Sequence, residues 1–391
     1  MTNPAVTGAP VKRLLSLDVL RGITIAFMIM VNNNGGKGSW GFMNHAAWNG
    51  LTPTDLVFPT FVFVVGASIV FAVEARLARG ATRAELAWHT VKRAVILFLL
   101  GIVVNSFPLF KLDHMRFYGV LQRIAVCYLV VGLFYLWDKR VWTKAAVAAL
   151  LLIGYWVLLR WVPVPGAGMP GRDIRFMDHG MNMVSWVDRL LMPHHLYLDW
   201  PDHNMRDPEG LLSDLPAIGT ALLGLLAALW LRTQRAVGSK VRGLDAATVG
   251  CLAAGYLWSP WFPLNKNLWT SSYVLVAAGW SLAVLTLAYW AVEVRGWGKD
   301  RGKGWTWPWL VFGSNAIVAY MFSELLASTI DVVKVSASPG VHESVQGFVF
   351  AHVFAHIPDA GWAAFAYSVS FTAVCFVPVW VLYKKKIFVK V

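Results

Sequence analysis

Long apolar runs alternate with short polar turns along this chain, and the runs have the length that a bilayer demands. About 20 helical residues are needed to cross the hydrocarbon. Ten windows qualify: 15–33, 56–75, 91–109, 118–137, 142–160, 212–231, 244–262, 268–291, 308–331 and 361–383. A further run, 345–357 (VQGFVFAHVFAHI), is too short to cross and reads as a re-entrant or interfacial helix. The pattern predicts an all-α, polytopic bundle of about ten transmembrane helices, a single domain over 1–391. The loop 160–211 is expected to cap an outer cavity. No low-complexity segment or long linker marks a second soluble domain.

Charge adds an orientation. Of the 34 Lys and Arg residues, 22 lie in the N-terminus, 76–93, 138–144, 232–243, 292–307 and the tail after 383. Ten lie in the alternate connections 34–55, 110–117, 160–211, 263–267 and 332–360, and Arg21 and Arg123 fall inside spans. The positive-inside rule puts the first set, with both termini, in the cytoplasm. The net charge of +13 then reflects membrane orientation and does not call for a nucleic-acid partner. Composition agrees: 57% of residues are hydrophobic, 14% are charged, mean hydropathy is +0.56, and 21 Trp and 22 Phe suit the interfaces. Cys127, Cys251 and Cys375 sit in apolar runs without a CxxC and read as small buried hydrophobes. The first run follows Lys12-Arg13 without an A-x-A site, so it is expected to stay as the first span.

Polar residues in or beside spans carry the candidate chemistry, because charge in hydrocarbon is costly. Asp18 and Arg21 lie three apart on one helix face and can pair locally, or Arg21 can meet an anionic ligand from the cytoplasm. Arg123, beside Gln122, has no acid in helical register and needs a ligand or an interhelical partner. The run VNNNGG ends the first span; Asn32 either terminates a helix or donates to a reacting carbonyl oxygen. In Thr52-Pro-Thr-Asp55, Asp55 completes a capping box and is placed to orient an imidazole as well. His45, in the turn before it, has no structural duty evident from the sequence and is competent as a general base. Glu209, at the end of the long loop, has no capping role and is expected to face the cavity. Asn265, Lys266 and Trp269 share the same outward level, and Asn315 is an intramembrane amide in need of a partner. The histidines and aspartates of 160–211 (His179, His194, His195, His203, Asp173, Asp178, Asp199, Asp202) match no tight metal-ligand spacing, so no metal is expected.

Most of the polar candidates, though not Asn315 or the loop histidines, fall in five stretches: RLLSLDVLRGITIAFMIMVNN, HAAWNGLTPTDLVFPTFVFVVGASI, GVLQRIAV, DPEGLLSDLPAIGTALLG and NKNLWTSSYVL. Through them the chain resembles the heparan-α-glucosaminide N-acetyltransferases and their bacterial relatives. The resemblance implies transfer of acetyl from cytoplasmic acetyl-CoA to the amine of a glucosamine-type sugar across a bacterial inner membrane, by a homodimer. It implies His45 as the active histidine, Asn32 as a catalytic asparagine and Arg123 as a coenzyme contact. The spacing from Asn32 to His45 leaves Asn33 and Asn34 as alternatives. The lysosomal members carry a lumenal domain and an additional span that are not found here.

Together these readings give one expectation. His45, Asn32 and Asp55 catalyse; Arg21, Arg123, Gln122 and Asn315 hold the coenzyme along one passage; Trp48, Asn49, Glu209, Asn265, Lys266 and Trp269 receive the sugar. His45 deprotonates the sugar ammonium for direct attack, in preference to forming an acetyl-imidazole. The rival reading is a transporter for amino sugars or related solutes.

Overall fold

The computed structural model describes residues 14–35, 38–111, 115–197, 205–298, 304–338 and 341–389. Helices joined by turns and loops make up these residues, apart from a short antiparallel hairpin of β1 (Lys334–Ser338) and β2 (Val341–Ser344) that sequence patterning did not anticipate. Among the described residues, eight helices are long and apolar enough to cross a membrane. They lie in the segments Leu15–Asn32, Pro53–Leu77, Arg83–Ser106, Val120–Trp137, Val141–Trp161, Leu211–Leu231, Ser271–Val294 and Ala360–Lys384. Their α-helical parts are α1 (Leu15–Asn32), α2 (Val57–Leu77), α3 (Arg83–Ser106), α4 (Val120–Trp137), α5 (Val141–Trp161), α7 (Asp214–Leu231), α9 (Ser271–Tyr289) and α13 (Ala360–Lys384).

Two of the ten expected spans are corrected. The window 244–262 becomes α8 (Val237–Trp258), which starts earlier, takes in Lys240, Arg242 and Asp245, and stops before Ser259-Pro260. The residue before proline disfavours helical backbone, and the charged first turns leave too little apolar length. The window 308–331 is not straight. It splits into α10 (Trp307–Ser314) and α11 (Ala316–Val332), bent by 81° at Asn315, and makes a ninth span only if the pair is counted as one. A Gly-Ser-Asn run is a usual place for such a break. α3 begins at Arg83, eight residues before its window, because Thr82 and Glu85 form a reciprocal capping box. The short run 345–357 forms α12 (Val345–Val349) and a π-turn to Phe354, too short to cross.

Two pairs of helices touch backbone to backbone. A Cβ on Gly66 of α2 would fall 1.9 Å from the Ala221 carbonyl oxygen of α7. One on Gly224 of α7 would fall 1.9 Å from that of Phe63. Gly22 of α1 lies equally close to Trp309 of α10, where a Cβ would come within 1.7 Å of the carbonyl oxygen. Glycine is the residue that permits this approach, as small residues do where lipid offers no hydrophobic drive for association. The result places the start of α2, which carries the His45 turn, beside the start of α7, which carries Glu209. In the long loop, α6 (Met183–Leu191) packs over this end. Asp199, Asp202 and His203 lie outside the described residues.

Candidate active site at the His45 turn

The capping box read from the sequence forms, and it does two things at once. Asp55 is buried, 1% exposed on its side chain, and accepts backbone N–H bonds from Thr52 (2.9 Å) and Ala46 (3.1 Å) on Oδ2. Its Oδ1 meets His45 Nδ1 at 2.7 Å. The Thr52 hydroxyl donates to the Asn44 carbonyl at 2.8 Å, and the Tyr273 hydroxyl to the Asp55 carbonyl at 2.5 Å. An ionised carboxylate only accepts, so Nδ1 carries the proton and Nε2 is left with its lone pair. The imidazole is 45% exposed, and Nε2 lies 3.2 Å from Lys266 Nζ. Asp55, His45 and Lys266 therefore form a chain from a buried carboxylate to an accessible nitrogen.

Lys266 comes from the turn before α9. Gly50 N–H donates to the Leu264 carbonyl at 2.9 Å, and Asn265 Nδ2 donates to Asn49 Oδ1 at 3.1 Å, joining this turn to the His45 turn. Asn265 is buried and also receives Leu268 N–H at 2.8 Å, so its amide holds the turn together, while Asn49 remains exposed. Burial lowers the Lys266 pKa, and the charges of Glu209 and then Asp55 partly offset that.

Trp269 does not face a sugar. It has a left-handed φ of 50°, is 0% exposed, donates from Nε1 to Thr220 Oγ1 at 3.1 Å and stands edge-on to Phe58 and Tyr273. Its ring takes the Arg123 guanidinium at 4.7 Å from the centroid. Trp48 is half-buried, and its ring already has partners: His179 stacks on it at 3.8 Å and the Arg206 guanidinium lies 4.6 Å from the centroid. Its Nε1 donates to the Met177 carbonyl at 2.9 Å.

Beneath these turns lies a charged network that sequence reasoning found only in part. Arg116, which was missed, binds Asp207 through Nε at 2.7 Å and Glu209 Oε2 at 2.5 Å. Burial alone would raise the Glu209 pKa. The positive charges of Arg116, Lys266 and Arg123 outweigh it and hold the carboxyl well below the usual range. Arg123 is 0% exposed and binds Asp214 at 3.1 Å, the Gly210 carbonyl at 3.1 Å and Ser213. Tyr118 donates to the same Asp214. Arg123, expected as a coenzyme contact, is here paired within the protein. Its guanidinium has no accessible surface and closes an interhelical gap between α4 and α7. The signal for this was present in the acidic run D-P-E-G-L-L-S-D, whose carboxylates outnumber any local cations.

Asp188 of α6 belongs to the same network and was also missed. It is 0% exposed and accepts Leu211 N–H at 2.9 Å on Oδ1. Burial, and then repulsion from Asp207, push its pKa up to about 7. A raised carboxyl pKa means that the folded state holds the proton where the unfolded state, near 3.9, has released it. Stability from this group is present at low pH and is lost as pH rises from about 4 to about 7. Asp188→Asn is therefore expected to stabilise the protein by roughly 1–2 kcal/mol at pH 8, with a gain that shrinks steadily as pH falls towards 5. Thermal unfolding of both forms in detergent across pH 5–8 checks this; equal pH slopes would refute it.

The remaining candidates separate. Asn32 Nδ2 reaches Glu324 Oε1 at 3.4 Å, Asn33 caps its own helix through the Ile29 carbonyl at 2.9 Å, and Asn34 Nδ2 donates to Asn44 Oδ1 at 2.9 Å. Asn34 is thus the asparagine tied directly to the residue beside His45. Gln122 is fully buried against Gly101, and its amide has no partner among the described residues. Asn315 is likewise reassigned. At the 81° break its amide donates to the Ile387 carbonyl (3.1 Å) and accepts Val389 N–H (2.8 Å), so it seats the C-terminal tail. Arg21 joins Asp18 (3.0 Å) to Ser68 of α2 (2.6 Å), eleven residues before Asn32 and so about 16 Å down α1 from it. A cavity of about 660 Å³ opens near that end, with Asp18, Ser314, Trp307, Tyr383, Lys384 and Lys386 among its lining. His45 and Arg123 do not line it, so the expected single passage bordered by His45, Arg21 and Arg123 is not what this cavity forms.

Comparison with known proteins finds relatives of this arrangement. Residues 13–167 match the family model described as "Heparan-alpha-glucosaminide N-acetyltransferase, catalytic". The chain is 29% identical to the heparan-alpha-glucosaminide N-acetyltransferase of Mus musculus over 441 aligned positions, covering 100% of this chain and 62% of the mouse protein. It is 31% identical to that of Homo sapiens over 362 positions, covering 80% of this chain and 53% of the human protein. The chain thus spans between half and two thirds of the length of the curated relatives it matches. The matched segment contains α1, the His45–Asp55 pair, α2 and Arg123. Residues 13–167, which include the His45 turn, are thus similar to the catalytic segment of the heparan-alpha-glucosaminide N-acetyltransferases.

Proposed function

We propose that this protein is a membrane-embedded acetyltransferase that moves acetyl from acetyl-CoA on the cytoplasmic side to the amine of a glucosamine-type sugar on the periplasmic side of a bacterial inner membrane. The observation that carries the reading is the Asp55–His45 pair, a buried carboxylate at 2.7 Å from an accessible imidazole. This is the geometry of an oriented general base. His45 Nε2 takes the proton of the sugar ammonium, and Asp55 stabilises the imidazolium that results. The amine attacks the thioester carbonyl, and proximity supplies much of the rate. The amides of Asn32 and Asn34, at the end of α1, offer N–H donors for the oxyanion. Glu209, beside Lys266 and Arg116, and the exposed Asn49 suit a polar, cationic acceptor.

The donor side draws on the inner cavity. Lys384 and Lys386 are suited to phosphates, and Trp307 to a stacked base. Acyl transfer, as distinct from transport, is favoured by the occupied break in the bent helix pair. A transporter would bind solute at such a break, whereas here Asn315 is engaged by the backbone of residues 387–389.

Labelled acetyl-CoA supplied to the cytoplasmic face of oriented proteoliposomes, with glucosamine enclosed on the other side, tests the proposal. Label on the enclosed sugar supports it; passage of unmodified sugar would make the protein a transporter. The same assay with a panel of amino sugars and cell-wall fragments identifies the acceptor. Cross-linking in native membranes checks the homodimer.

A further inference from the structure

We infer that Lys266 is a self-acetylation site, modified on Nζ by the protein's own acetyl donor when no acceptor amine occupies the site. This rests on the acetyltransferase reading. A primary amine lies 3.2 Å from Nε2 of an imidazole whose other nitrogen is fixed by a buried carboxylate. That is where the proposed mechanism requires the amine of the sugar to be. Lys266 is therefore a resident copy of the acceptor's reacting group. Lys139 and Lys144, by contrast, face the carboxylates of Glu74 (3.4 Å) and Asp138 (3.8 Å), with no base to take a proton from them. Loss of water around Lys266 opposes a permanent charge on the amine; Glu209 and Asp55 favour that charge, and Arg123 and Arg116 oppose it.

The step balances. The Lys266 ammonium passes one proton to His45 Nε2, and the neutral nitrogen attacks the thioester carbonyl carbon. The tetrahedral intermediate collapses with rupture of the carbon–sulfur bond. The imidazolium protonates the departing CoA thiolate, and the second nitrogen proton leaves to water. An acetamide on Lys266 and free CoA thiol remain. Amides do not transfer acetyl onward, so the product is a blocked site and not an intermediate. It removes the positive charge facing Glu209 and fills the space beside Nε2. The protein would thereby switch itself off where donor is abundant and acceptor is scarce, and saturating acceptor would protect it by displacing Lys266 from the imidazole.

The test uses the full-length protein in detergent, isotopically labelled acetyl-CoA and no acceptor, with peptide mapping by tandem mass spectrometry. Label is expected on Lys266 at least tenfold faster than on any other lysine, with added glucosamine suppressing it and heat denaturation abolishing the preference. In His45→Ala the rate at Lys266 is expected to fall to that of surface lysines. Three results would overturn the inference: Lys266 unlabelled in a preparation that acetylates glucosamine, Lys266 labelled no faster than other lysines, or label held by His45. The first of these leaves the acetyltransferase reading standing. Absence of label from both Lys266 and glucosamine would remove that reading together with this one.

Discussion

Replacing His45 by alanine is expected to lower acetyl transfer by about 10²–10⁴-fold while acetyl-CoA binding is retained. The magnitude is that of losing one well-placed general base. The retention follows from the fold. His45 stands in a turn, 45% exposed, and its removal creates no cavity in the helix bundle. Asp55 keeps its two backbone N–H bonds from Thr52 and Ala46, so the start of α2 stays capped. Transfer rates and donor affinity measured on the same preparation separate chemistry from folding. If affinity and activity disappeared together, His45 would be a structural residue. A burst of CoA release in the wild type without acceptor, one equivalent per chain and held on His45, would replace direct attack by an acetyl-imidazole pathway.

Arg123→Ala is expected to act on the other side of that division, by destabilising the protein. Arg123 is the hub between α4 and α7, with Asp214 and the Gly210 carbonyl each at 3.1 Å and the Trp269 ring against its guanidinium. Truncation leaves the Asp214 carboxylate in a buried position without its cation. Breaking such a pair from one side costs about 3–5 kcal/mol. Trp269 would also lose the contact beneath it, and it carries Tyr273, which braces Asp55. Thermal unfolding in detergent should show a large drop, and Asp214→Asn added to the variant should recover part of it, because the unpaired charge is then gone. An unaltered melting temperature would show that the buried pair contributes no net stability, as replacement studies of such pairs sometimes find.

The helices were legible because their signal is a property of each segment alone. A run of apolar residues bounded by Pro, Gly or a capping box fixes a helix whatever it packs against, and nine of the ten windows are helical over most of their length with only the 308–331 window sharply broken. The same is true of Asp55, whose capping role is written four residues long. What was not legible depends on pairs. Arg116 finds Asp207 and Glu209 across more than ninety positions, and nothing in the local sequence of either says so. Trp269 has the look of an interfacial ring until its left-handed backbone turns it inward over Arg123. Asn315 was rightly seen as an amide in need of partners, but those partners are backbone groups of a tail that begins seventy-two residues later. Polar residues in spans advertise that they are satisfied by something; only the fold tells by what.

The interlocked glycines of α2 and α7 bear on how firmly the two sides of the candidate site are held together. With Gly66 against Ala221 and Gly224 against Phe63, the two helices are in backbone contact, which opposes movement of one against the other. The imidazole turn leads into one of these helices and the acidic loop into the other, so the chemistry sits on a stationary anvil. The molecule has no need to rock its centre from one compartment to the other, as pumps do.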